Sequence, residues 1–325
     1  MIEDFQKAEQ CFKDGVSLNQ EHLQGLLLSG LCSLTQEEFS EGEQILDATT
    51  YLYEDLPLPW TLLGLHFTSV ENSIMSERCF NKAEETFGKQ RTGEEPNELS
   101  DEFSIYIEAT QFLLDCNMLQ VAERALSHEL IRLQEKKSVS YLMLLARLHA
   151  KRKDYELALE EVEKAIVLRH QNSDAWAMKG DLNFMLDNLS EASSCYERCL
   201  VYEEQPSDLN RVYTRLAMIY LRLEKYEDAK KTHLYLCKHY PSCHTWLGLG
   251  VSCCQLNQLD EAEHCLNEAN IYDNMNGTVW SYLAYVCLKK KKTNQAEQCY
   301  RYSTKLGGAP DDLKKILDSS FQSVF

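Results

Sequence analysis

The stretch WLGLGVSCCQLNQLDEAEHCLNEA, Trp246–Ala269, decides the fold. With Trp246 at position 4 of a unit, Leu249 and Gly250 stand at 7 and 8, and Cys253 at 11. Ala262 then stands at 20, Leu266 at 24 and Ala269 at 27. This spacing predicts a helix–turn–helix unit of about 34 residues. Gly250 and Ala262 are small, so the two helices of the unit can approach closely. Trp246 and Leu266 fill the space beside that contact, large next to small.

The same frame extends outward in both directions. Upstream it fits Tyr213, Leu216, Ala217 and Ala229; Trp176, Gly180, Ala192 and Tyr196; and Leu145, Ala146, Ala158, Val162 and Ala165. Ser173-Asp174 reads as the N-cap of the fifth unit. The third unit is degenerate, with Thr110 where Gly or Ala is usual. The second holds Trp60, Leu63, Gly64, Phe67 and Phe80, with Ser76 in place of the usual Ala, and the first holds Leu26, Gly30, Gly42 and Leu46. Downstream, Trp280, Leu283, Ala284, Ala296 and Tyr300 make an eighth unit, closed by Gly307, Gly308 and Pro310.

The expected organisation is a half repeat over 1–20, repeats 1–2 over 23–87 and a flexible insertion over 88–100. Repeats 3–8 follow over 103–310, and a capping helix over 311–325. The lone second helix at 1–20 predicts that the chain is the tail of a longer protein. No strand pattern competes, so the expectation is an all-α, right-handed α-solenoid.

Composition narrows the function. The formal charge is −18, of which −13 falls in residues 1–100. An acidic surface argues against nucleic-acid binding, which needs cations for phosphate. No apolar run reaches the ~18 residues of a membrane span, so no membrane insertion is expected. Five of the 13 cysteines fall at position 23 of their units (Cys11, Cys79, Cys195, Cys265 and Cys299), and Cys253 and Cys287 fall at 11. Recurrence in the frame marks them as small buried hydrophobes. So many thiols fit a reducing compartment, cytoplasm or nucleus.

The array resembles the tetratricopeptide repeat family. Pro241–Asn270, Val279–Tyr300 and Trp60–Leu65 further resemble the C-terminal repeat region of the cilia- and flagella-associated protein 70 family, in repeat order along the whole chain. That resemblance implies an axonemal component of motile cilia and flagella that helps regulate their beating, in cytoplasm and cytoskeleton. It implies protein partners from the axoneme. A role in self-association with the N-terminal part of its own longer chain is a further expectation. The alternative is a cytoplasmic chaperone-linked assembly factor for ciliary complexes.

Catalytic and metal-binding signatures are missing. There is no HExxH, Walker A loop, GxSxG elbow or zinc-spaced CxxC pair, so neither enzyme activity nor a cofactor is expected. Cys195 and Cys199 share a helix face but hold packing positions, and adjacent His264 and Cys265 point about 100° apart. The concave face built by first helices offers the candidate binding residues: Arg147, Lys151, Arg211, Arg215 and Arg222 in the middle, Tyr282 and Tyr285 near the end. Pairing of those cations with Asp174 and Asp181 between neighbouring units is an equal expectation, and capping of the two tyrosines by the 311–325 helix is preferred to an open aromatic face. Arg211 and Arg215 match one pair of a two-carboxylate peptide clamp. Met143, Arg147 and Met178 break the rest of it. Lys289, Lys290, Lys291 and Lys292 form a basic run expected in an exposed turn, read first as an ordinary solvated turn and second as a contact for an acidic partner.

Overall fold

The computed structural model describes Cys11 and residues 22–35, 39–90, 103–134, 137–202, 205–307 and 311–322. Among the described residues every regular element is a helix. The chain divides into two compact units, Met1–His170 and Gln171–Phe325.

Among the described residues, the first unit holds four helix hairpins: α1 (Leu23–Thr35) with α2 (Phe39–Leu52), α3 (Pro57–Ser69) with α4 (Ser73–Gln90), α5 (Ile105–Asp115) with α6 (Leu119–Arg132), and α7 (Val139–Arg152) with α8 (Tyr155–Leu168). The second holds α9 (Ser173–Met185) with α10 (Leu189–Cys199), α11 (Leu209–Arg222) with α12 (Tyr226–His239), α13 (Cys243–Gln255) with α14 (Leu259–Tyr272), and α15 (Gly277–Lys289) with α16 (Thr293–Lys305). A last helix, α17 (Asp311–Gln322), packs on α15.

Helix starts recur because short polar residues recur. Ser138, Asn172, Asp208, Ser242 and Asn276 each accept a backbone N–H of the first turn of the helix they precede, satisfying a group the helix leaves open. Ser242 and Thr245 add a reciprocal capping box. Asn172, rather than the expected Ser173-Asp174, caps α9. Asp174 instead accepts from the backbone N–H and hydroxyl of Ser207 at 2.8 and 2.9 Å.

The turns inside the hairpins recur too. Glu71, Asn117, Lys153, Asp187, Glu224, Asn257 and Lys291 all hold φ near +60°. One left-handed residue at position 15 ends each of these first helices, without a glycine.

The cores repeat one motif. A Cβ on Gly250 would stand 2.8 Å from the Leu266 side chain, and equivalent pairs are Gly30 with Leu46, Gly64 with Phe80 and Gly180 with Tyr196. The small residue at position 8 is thus the socket for the large one at position 24. Helix α4 runs to Gln90, so the first three residues of the expected 88–100 insertion are helical and 91–100 lie outside the described residues. The helices flanking that segment share a core of Ala83, Ile105 and Tyr106 with Trp60, Phe80 and Phe87. The expected half repeat at 1–20 lies outside the described residues, Cys11 apart.

Candidate partner-binding groove

In the second unit, α11, α13 and α15 line a groove of about 650 Å³. Met218 and Leu221 come from α11, Leu247 and Val251 from α13, and Tyr282 from α15. Thr214, Thr245, Thr278 and Gln255 add hydroxyl and amide groups, and Arg222 and His244 add basic ones. The chain carries 51 acidic residues, yet no carboxylate is among the described residues lining this groove. Such a surface suits an apolar segment with few anchoring hydrogen bonds.

His233 of α12 lies beneath it. Its side chain is buried, and Nδ1 lies 2.9 Å from the Ala229 carbonyl oxygen. A carbonyl only accepts, so Nδ1 carries the proton and Nε2 the lone pair. Burial pushes the His233 pKa down, which keeps the ring neutral. A Cβ on residue 248 would stand 2.0 Å from Nε2. Gly248 is therefore what allows the imidazole to sit against α13.

The arginines are partly spoken for. Asp181 lies 3.1 Å from Arg211 Nη1 and 2.5 Å from Arg215 Nη1, and it accepts from the Tyr196 hydroxyl at 2.5 Å. The two residues that match a carboxylate clamp already hold a carboxylate of their own chain. Arg222 lies 3.5 Å from Asp187 and over the Phe184 ring, and it also lines the groove. In the first unit, Arg147 donates to Asp115 at 2.8 Å and Lys151 is exposed. The sequence-derived candidates thus fall into separate places: Arg222 and Tyr282 line the groove, and the others do not.

Tyr282 and Tyr285 both pack against the cluster that Ala284 forms with Leu313 and Leu317 of α17. The cap leaves Tyr282 on the groove wall and Tyr285 under the Lys289 ammonium, 5.4 Å from its ring centre. The four lysines are less uniform than the run implies. Lys289 ends α15, and Lys291 takes the left-handed turn position. Lys290 folds back to Asp260 and Glu263, each at 2.5 Å, and Lys292 reaches Glu263 at 3.1 Å. Lys289, Lys291 and Lys292 are exposed, Lys292 while paired with Glu263.

Sequence reasoning missed His233, Gly248 and Met218. The frame assigns contacts within a hairpin, whereas His233 and Gly248 meet across two neighbouring hairpins. A second glycine in Gly248-Leu249-Gly250 was the available signal.

Likeness to known proteins agrees with this architecture. The chain superposes on YrrB, a solved tetratricopeptide repeat protein, with a TM-score of 0.52 and 15% identity over 56% of this chain and 92% of that one. A human cilia- and flagella-associated protein 70 is 29% identical over 94% of the chain and 37% of its own length. The Macaca fascicularis counterpart is 31% identical over 94% of the chain and 30% of its own length. The chain thus spans about a third of the curated relatives it matches. The model of the cilia- and flagella-associated protein 70 middle TPR-like domain matches residues 2–86, and that of its C-terminal domain matches residues 117–313. This chain therefore belongs to the cilia- and flagella-associated protein 70 family.

Proposed function

We propose that the chain is a non-catalytic docking scaffold of the ciliary or flagellar axoneme, and that it contributes to the regulation of beating by holding partner proteins. The groove of α11, α13 and α15 receives an apolar partner segment. The observation that carries this reading is the groove itself, mostly apolar and with no carboxylate among the described residues lining it, in an otherwise acidic chain. The ciliary setting rests on family membership.

The test uses the chain as bait in axonemal extract, with chemical cross-linking and mass spectrometry. Met218 is well exposed and Val251 partly so, so Met218→Glu with Val251→Glu should leave the fold intact by circular dichroism. The expected result is at least a tenfold loss of captured axonemal proteins together with cross-links near the groove. Undiminished capture by the folded double variant would remove the groove from the mechanism.

A further inference from the structure

Donor groups gather at one end of the groove. Arg222 closes α11, Tyr226 opens α12 and Gln255 closes α13. Each hairpin reverses the chain, so α11 and α13 run the same way and these three residues share an end. Tyr282 of α15 joins them: burial first, then the nearby Cys254 and Tyr226, push its pKa up. All four side chains line the cavity. Together they offer a guanidinium, two phenol hydroxyls and a carboxamide, each a hydrogen-bond donor. Among the described residues, the side chains of Tyr226, Gln255 and Tyr282 make no hydrogen bond.

Arg222 is the fixed charge of that end, and its own carboxylate holds it loosely. Asp187 lies 3.5 Å away, and the two side chains are 52% and 82% exposed. An ion pair so open to water is worth little, so another carboxylate can take its place. The guanidinium also sits over the Phe184 ring, 5.5 Å from the ring centre. That attraction steadies the long side chain without using its N–H donors. A carboxylate brings two oxygens with about four acceptor sites, which suits a guanidinium flanked by hydroxyl and amide donors. A basic side chain would meet the Arg222 charge instead, with no carboxylate among the described lining residues to offset it.

We propose that the groove selects an apolar partner segment carrying an acidic side chain, whose carboxylate displaces Asp187 from Arg222 and takes hydrogen bonds from Tyr226, Gln255 and Tyr282. This specificity rests on the groove being the docking site and adds the chemistry of its partner. The apolar side chains of the segment are buried against Met218 and Val251. The carboxylate fixes its direction and register. Thr214, which also lines the groove, stands eight residues before Arg222 on α11. That is about 12 Å at the helical rise, and an extended segment spans it in about four residues.

The test pans a phage library of random heptapeptides against the full chain. The enriched peptide is then made with acetylated and amidated ends, and its binding is measured by fluorescence polarisation. The expected consensus is an Asp or Glu among apolar residues. Arg222→Gln should weaken that peptide about tenfold or more, as should replacing the peptide carboxylate by its amide. The two changes together should cost little more than either alone. Asp187→Asn, which suits the left-handed turn, should free Arg222 and tighten binding about threefold. Circular dichroism confirms that each variant is folded. If Met218→Glu with Val251→Glu abolishes binding, the groove stands as the docking site. In that case a consensus without an acidic residue, or an acidic peptide held equally by Arg222→Gln, would overturn the specificity alone. Binding that survives the double variant, or no enrichment from the library, would remove the groove and the specificity together.

Discussion

The seventh hairpin and the third solve the same packing problem with opposite chemistry. In the seventh, Gly250, Ala262 and Ala269 are small and apolar, and Leu266 fills the socket they leave. In the third, Thr110 takes the position of Gly250 and Glu129 that of Ala269, and both are fully buried. The Thr110 hydroxyl donates to the Tyr106 carbonyl at 2.7 Å. Glu129 accepts from Ser104 at 2.5 Å and from Arg132 at 3.0 and 2.7 Å. The eighth hairpin repeats the idea with Ser303, buried at the same position as Glu129, 2.6 Å from Ser281. The second uses Ser76, which donates to the Gly64 carbonyl at 3.1 Å. The signature therefore specifies a volume at each position. Polarity is free to vary when a second residue of the same hairpin supplies the partner.

The largest effect should come from transplanting the polar solution without its partners. Ala269→Glu buries a carboxylate where no Ser104 or Arg132 equivalent stands. An uncompensated buried charge costs roughly 3–5 kcal/mol. Urea denaturation should show that loss at pH 7, and an unchanged midpoint would mean that position 27 is not enclosed in the seventh hairpin. The reverse exchange should be smaller. Glu129→Ala restores the residue that the signature favours, yet removes charge-assisted bonds to Ser104 and Arg132. The expected cost is about 1.5–3 kcal/mol, the range for hydrogen bonds to charged groups. A stabilised Glu129→Ala variant would show that the third hairpin is merely degenerate and not compensated.

This comparison also locates what the sequence could convey. Sockets formed within one hairpin were legible, because Gly250 and Leu266 lie a fixed distance apart in the chain and recur as Gly64 with Phe80 and Gly180 with Tyr196. Contacts between hairpins were not, since no local period ties Asp181 to Arg211 and Arg215. Those arginines read equally as groove charges or as partners of a neighbouring hairpin's carboxylate, and only the structure shows that Asp181 is the one they share. The groove was legible only at its edges. Arg222 and Tyr282 sit at repeat positions known to face inward, whereas His233 occupies the position of a core leucine and reveals its role only through Gly248. The polar partners in the third hairpin stayed hidden for the same reason: Ser104 and Glu129 are 25 residues apart, a separation that no signature position records.

His233 is the most delicate case of a satisfied polar group in the core, because only one of its two nitrogens has a carbonyl to bond. Nδ1 donates to Ala229, and Nε2 faces the space that Gly248 leaves empty. Its pKa is lowered in the folded chain from the ordinary 6.5, burial being the cause. The unfolded chain therefore binds a proton at a higher pH than the folded chain does. Stability from this group is complete above about pH 6.5 and declines as the pH falls below that value toward the folded pKa. His66 and His128 are lowered by burial as well, so the total acid loss does not isolate His233. The difference between the chain and its His233→Gln variant does. Gln keeps an amide donor for Ala229 and cannot take up the proton. Denaturation midpoints measured from pH 8 to pH 5 should run parallel above 6.5 and converge or cross below it, with the variant falling less steeply. Identical slopes would mean that His233 is as solvated as a surface imidazole, and that the fit between His233 and Gly248 is not what holds α12 against α13.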